Sequence, residues 1–206
     1  KEAQRVIPGG NQLLSKRSEM FLPNQWPSYY KFSRGCVVSD LNKKKYFDFA
    51  GMGVTSCILG YADRDINRAI QKGLRNGAMS TLNSPQEVEL AKKLIKIHKW
   101  SDMVRFSKSG GEACLIAIRI ARAFSKKEKI AFCGYHGWHD WYMASNLSNK
   151  KNLDEQLLPG LGNKGISKSF KNSIFSFNYN DIDSLEKIFK KNKNQIGIVI
   201  MEPMRF

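Results

Sequence analysis

Ser107-Lys108-Ser109-Gly110-Gly111-Glu112-Ala113 is the stretch on which the fold turns. A short apolar run, Met103–Phe106, leads into it, and an amphipathic helix is expected to leave it from about Glu112 to Phe124. The apolar face of that helix reads as Ala113, Ile116, Ala117, Ile120, Ala121 and Phe124. Two adjacent glycines let a backbone approach a ligand closely. The unpaired amides of the first helical turn then meet it with the positive end of the helix dipole. These residues describe a seat for a phosphate group, and they would equally serve a plain strand-to-helix turn. No Gly-Lys-Ser/Thr follows, so this is not a P-loop, and the spacing is not the dinucleotide G-x-G-x-x-G.

Outward from the seat the rhythm is strand, loop, helix. Lys129–Cys133, Ile174–Phe177 and Ile196–Met201 are apolar runs of strand length, and the last is continuous, as a strand buried on both faces should be. A helix is expected near Ser184–Lys191 with Asp183 and Glu186 as its capping pair. Strands alternating with helices predict an α/β fold with a mostly parallel sheet covered on both sides. Upstream, Ser84, Pro85 and Glu87 announce one helix and Asp63 caps another. His98 falls on the apolar side of the first of these and reads as a packed or interface histidine. Tyr29–Phe32, Cys36–Ser39 and Tyr46–Phe49 read as short antiparallel strands, a small β-meander. The expected division is a meander lobe over residues 1–60 and the first part of an α/β domain over 61–206.

Composition narrows the function classes. The 206 residues are 42% hydrophobic and 25% charged, ordinary for a globular chain. No apolar run approaches a membrane span, and the polar opening is not a signal peptide. Thirty-four Lys and Arg against 18 Asp and Glu give a net charge of +16. The excess is scattered lysine without interleaved aromatics, so no nucleic-acid partner is expected. Cys36, Cys57, Cys114 and Cys133 are far apart with no C-x-x-C, which points to a reducing cytoplasm. The chain begins at Lys1 and stops at Met204-Arg205-Phe206 just past a strand, and it reads as a piece of something longer.

Two further constellations fall at the carboxyl ends of expected strands, where open α/β sheets bind ligands. Gly134-Tyr135-His136-Gly137-Trp138-His139-Asp140-Trp141 follows the second run, and Glu202-Pro203 follows the last. The aromatics could stack on a flat ring while His136 bonds a ring substituent, or they could simply pack the loop onto the core. A metal site from His136, His139 and Asp140 is disfavoured by the glycines between them and the lack of a nearby thiolate. A phosphate seat, a stacking loop and an acid on one edge outline a site for a flat aromatic phosphate. Pyridoxal phosphate fits better than a nucleotide, since no ribose-binding acid follows the glycines at the required spacing.

The chain resembles the class III, fold-type I pyridoxal-phosphate aminotransferases, and within them the glutamate-1-semialdehyde 2,1-aminomutase-like branch. The matching runs are Pro8-Gly9-Gly10, Tyr46-Phe47-Asp48-Phe49, Gly51-Met52-Gly53, Leu59-Gly60-Tyr61-Ala62, Val104-Arg105-Phe106, Ser109-Gly110-Gly111-Glu112-Ala113, Tyr135-His136-Gly137 and Met201-Glu202-Pro203. The resemblance implies the first part of a fold-type I large domain preceded by a β-meander lobe. It implies that Ser109, Gly110 and Gly111 hold the cofactor phosphate, that Tyr135 stacks on the pyridine ring with His136 beside it, and that Glu202 lies near ring and substrate. The family seat reads Ser-Gly-Thr, so Gly111 leaves more of the anchoring to backbone amides. Lys16 and Arg17 fall near the family's substrate-carboxylate arginine, with Leu13 near its serine. The resemblance places the pyridine-nitrogen aspartate and the Schiff-base lysine beyond Phe206, so the fragment alone is expected to be inactive. Amino-group transfer within or between small amino and keto substrates, in a homodimer, is the implied activity. A non-catalytic scaffold of the same fold, or a basic polyanion binder, is the alternative.

Overall fold

The computed structural model describes residues 1–204; Arg205 and Phe206 lie outside the described residues. The chain forms two compact units, Lys1–Val88 and Glu89–Phe206. The first holds residues 61–88 as well as the residues of the expected meander lobe.

In the first unit a short helix α1 (Glu2–Val6) precedes the meander β1 (Tyr30–Arg34), β2 (Val37–Asp40) and β3 (Lys45–Phe47). Its strands pair antiparallel in the order β1-β2-β3. Asp40 ties the β2–β3 turn, accepting from Lys44 N at 2.9 Å and from the Tyr46 hydroxyl at 3.1 Å. Tyr61 fastens the glycine-rich stretch that follows: its hydroxyl donates to Asp48 Oδ2 at 2.6 Å and accepts from Gly53 N at 2.9 Å. Burial and the Asp48 carboxylate push that hydroxyl up to about 12. Helix α2 (Arg64–Arg75) opens at Asp63, whose carboxylate accepts from Asp65 N and Ile66 N, the cap expected from sequence.

The second unit is built on a parallel sheet in the order β5-β4-β6, with β4 (Lys129–Cys133) between β5 (Ile174–Ser176) and β6 (Ile196–Met201). Helix α3 (Pro85–Ile97) begins at the expected proline. Ser84 donates its hydroxyl to Gln86 Oε1, and Glu87 N donates to the Ser84 carbonyl. Helix α4 (Gly110–Ser125) precedes β4, the four-residue helices α5 (Asp140–Met143) and α6 (Ser145–Ser148) follow it, and α7 (Ile182–Asn192) joins β5 to β6.

Side chains alternate across β4, so each face collects its own core. Ile130 and Phe132 join Ile174, Ile198, Ile118 of α4, Trp141, Tyr142 and Leu153. Ala131 and Cys133 join Phe177, Phe175 and, from α7, Leu185 and Ile188. The expectation of an α/β fold with a sheet covered on both faces is met.

Several local expectations are corrected. Met103–Phe106 is not a strand among the described residues: Met103 is exposed, and the run has no ladder partner. An apolar run becomes a strand only when a neighbouring backbone accepts its hydrogen bonds. The buried face of α4 is Ile118 with Cys114, Leu115 and Ala121, while Ile120 and Phe124 are exposed. That helix carries apolar residues nearly all round, so composition does not fix its rotational phase. Asp181, not Asp183, caps α7, accepting from Ser184 N at 3.0 Å. His98 follows the end of α3, exposed and edge-on to Trp100.

Candidate cofactor site

Parallel pairing sets the geometry. Cys133 lies opposite Met201, so Gly134 and Glu202 leave the sheet from the same carboxyl edge, and Glu202 N donates to the Cys133 carbonyl at 3.1 Å. The amino end of α4 comes to that edge as well. Gly137 has φ of +95°, and a Cβ built on it would stand 2.6 Å from Gly111 Cα. The aromatic loop and the seat therefore touch backbone to backbone, a contact that only a residue without a side chain permits.

Ser109 caps α4 and shapes the seat. Its hydroxyl accepts from Glu112 N at 3.3 Å, while the Glu112 carboxylate reaches back to accept from Lys108 N at 2.9 Å. This reciprocal arrangement is a variant of the capping box. It uses the third amide of the turn and leaves those of Gly110 and Gly111, which by position have no acceptor within the helix. Nothing lies within 4 Å of where a Gly110 side chain would be, whereas a Gly111 side chain would meet the His139 ring at 3.3 Å. Two free amides at a helix amino end, with open space above one of them, suit a phosphate group.

Tyr135 stands at the mouth of the loop, 39% exposed, edge-on to Trp138 and to Tyr142 with centroids 6.1 and 6.0 Å away. Partial burial pushes its hydroxyl up, so the ring is neutral at neutral pH. A part-exposed aromatic ring at the mouth of the loop is suited to stacking on a flat ring. His136 turns the other way. It is 5% exposed among Phe132, Trp141 and Tyr142, with Nε2 2.9 Å from the Cys133 carbonyl. A carbonyl only accepts, so Nε2 carries the proton in that bond. Burial pulls the His136 pKa below its ordinary 6.5, against smaller upward pushes from the Cys133 carbonyl and Glu202.

The Glu202 carboxylate lies over Gly134, where a Cβ would meet Oε2 at 2.4 Å. Gly134 has φ of +92°. Burial, and then the charge of Glu202, push the Cys114 thiol up, which keeps it protonated and unreactive.

Ser109, Gly110, Gly111, Tyr135 and Glu202 thus share one edge, while His136 sits beneath it with its ring in the core. Lys16 and Arg17 belong to the first unit. Lys16 is exposed, and Arg17 packs its guanidinium on Gly9, where a Cβ would meet Nη2 at 2.5 Å. Two residues that sequence reading missed hold the loop: Gln156 and Tyr142 bond the amide and the carbonyl of Gly134. No motif marks Gln156, but Ser109-x-x-Glu112 was a legible capping signal. No helix of the described residues is long and apolar enough to cross a membrane.

Known proteins share this arrangement of chain. A glutamate-1-semialdehyde 2,1-aminomutase of Francisella tularensis is 35% identical over 205 residues, which is 98% of this chain and 46% of that protein. A 3-aminobutyryl-CoA aminotransferase of Cloacimonas acidaminovorans is 31% identical over 204 residues, 98% of this chain and 45% of its own length. A solved transaminase with PLP bound superposes with a TM-score of 0.83 at 25% identity, over 100% of this chain and 46% of that one. The chain therefore spans about half the length of the curated relatives it matches. The family model described as Aminotransferase class-III matches residues 23–205, and by that match the chain belongs to the class-III aminotransferases.

Proposed function

We propose that this chain carries the phosphate and ring subsites of a pyridoxal-phosphate-dependent enzyme that moves an amino group. The observation that carries the reading is the backbone contact of Gly137 with Gly111, which brings the α4 amino end and the Tyr135 loop to one edge. The residues fit the cofactor: two free amides and a helix dipole for a phosphate dianion, and an aromatic face for a flat ring. When bound, pyridoxal phosphate supplies an electron sink for bonds at the amino-bearing carbon.

The chain's own part is binding and orientation. Gly110 and Gly111 donate to the phosphate, with the Ser109 cap fixing their direction. Tyr135 covers the ring, and the Glu202 carboxylate borders the space where ring and substrate meet. His136 acts from below, its imidazole bonded to the last carbonyl of β4 and setting the course of the loop. The nucleophilic lysine and the acid that pairs with the pyridine nitrogen are expected in the part of the protein that this chain, about half the length of its relatives, does not cover.

The substrate class is a small amino or keto compound, and the named relatives include an aminomutase and an aminotransferase. We place the enzyme in the cytoplasm, in keeping with four widely spaced cysteines and no C-x-x-C pair in the sequence, and as a homodimer. Titration of the full-length protein with pyridoxal phosphate tests the reading. It should develop a visible absorbance that borohydride makes permanent; a protein left colourless in excess cofactor overturns it.

A further inference from the structure

Gly134 is the hinge between β4 and the aromatic loop, and both polar groups of its backbone are gripped by side chains. Its N–H donates to Gln156 Oε1 at 2.6 Å, and its carbonyl accepts from the Tyr142 hydroxyl at 2.9 Å. The other end of the Gln156 amide is also used: Nε2 donates to the Phe177 carbonyl at 3.1 Å. Phe177 directly follows β5 and bonds its own N–H to the Phe132 carbonyl at 2.9 Å. One side chain, 4% exposed, therefore ties together the segments that leave β4 and β5.

We infer that Gln156 is a positioning residue for the cofactor, holding the Gly134 peptide so that the Tyr135 ring presents its face to the pyridine. The inference rests on the pyridoxal-phosphate reading of the site. Glycine is the residue with the widest range of backbone dihedrals, so bonds to its amide and carbonyl are what fix its course, and a rotation at residue 134 swings everything attached at 135. A primary amide of this length offers an acceptor to one backbone and a donor to another at once. Leucine fills similar space and does neither, leaving a buried N–H and a buried carbonyl without their partner. Gln156 touches neither ring nor phosphate in this account; it acts through Gly134 and Tyr135.

The test uses the full-length protein, with pyridoxal phosphate as probe and three readouts: its dissociation constant, the visible circular dichroism of the bound cofactor, and the melting temperature without cofactor. Gln156→Leu removes two buried hydrogen bonds, of which the one to Gly134 N–H bears on the loop, and should weaken cofactor binding about tenfold and diminish the dichroic band. Gln156→Glu still accepts from Gly134 N–H, and its carboxyl, kept protonated by burial against the Phe177 carbonyl, donates in place of Nε2, so it should bind within about threefold of the wild type. Should Gln156→Leu fail to fold, Gln156→Asn makes the same comparison, since it keeps the amide but is a methylene too short to span both groups. A lowered melting temperature with unchanged dissociation constant and dichroism would mean that Gln156 merely stabilises the fold, and would overturn the role. So would a Gln156→Glu variant that binds as loosely as Gln156→Leu. A wild type that takes up no pyridoxal phosphate overturns the reading of the site and this role with it.

Discussion

Gly137 rests on Gly111 with no room for a methyl group between them: a Cβ on Gly137 would lie 2.6 Å from Gly111 Cα. The contact joins two segments far apart in sequence, the entrance of α4 and the loop after β4. It also bears on Gly111, which stands where the resemblance implies a threonine. A side chain at position 111 would meet His139 Cδ2 at 3.3 Å and Nε2 at 3.4 Å, so the imidazole here occupies the surroundings of that position.

Gly137→Ala should destabilise the protein by at least about 1–3 kcal/mol from backbone strain alone at positive φ. The collision with Gly111 backbone adds to this, because neither partner is the movable end of a side chain. Urea denaturation of wild type and variant measures the loss, and a midpoint shift within error of zero would contradict the contact.

Tyr135→Ala should cost about 1–3 kcal/mol of stability, since the ring is only 39% exposed and pairs edge-on with Trp138 and Tyr142. Cofactor affinity should fall about tenfold, the upper range for an aromatic stacking contact. Equilibrium dialysis against pyridoxal phosphate separates the two effects; unchanged retention would mean that the ring only packs the loop.

Ser109→Ala removes the hydroxyl that accepts from Glu112 N. Loss of an amino-terminal cap costs about 1 kcal/mol. A Ser109→Asp variant should recover that stability, because the carboxylate caps equally well, yet weaken phosphate binding by repulsion. Thermal melts with and without cofactor read both.

Acid should weaken the fold through His136. Its pKa in the folded protein lies below the ordinary 6.5, so the folded state binds the proton less readily than the unfolded chain. The stability from keeping it neutral is present above that ordinary value and is lost as pH falls through and below it. Unfolding free energy followed from about pH 7.5 down to about pH 5 should decline, and a His136→Gln variant should decline less steeply over that window.

The sheet could be read from sequence because its strands are short continuous apolar runs: β4 and β6 occupy the residues expected, and β5 ends one residue early. Asp63 and the Ser109 turn were legible for a related reason, since a cap is a local bond between near neighbours. Met103–Phe106 has the same composition as a strand, but pairing is a property of two segments and cannot be read from one. The phase of α4 was hidden because Ile116, Ile118 and Ile120 offer more than one apolar face. Within the site, the glycines and Tyr135 carry family motifs. Gln156 stands in an unremarkable loop 22 residues from Gly134, and only the folded chain brings its amide to the backbone it holds.

The central place of β4 has a bearing on how the protein matures. Its loop is framed on one side by β6 and Glu202, nearly seventy residues later in the chain, so the aromatic segment cannot adopt its final shape until that distant strand has been synthesised and docked. Contacts of such long sequence separation form slowly. Cofactor capture should accordingly be among the last steps on the ribosome-to-native route, and a chain cut short before residue 196 should emerge with its Tyr135 loop unanchored on the β6 side.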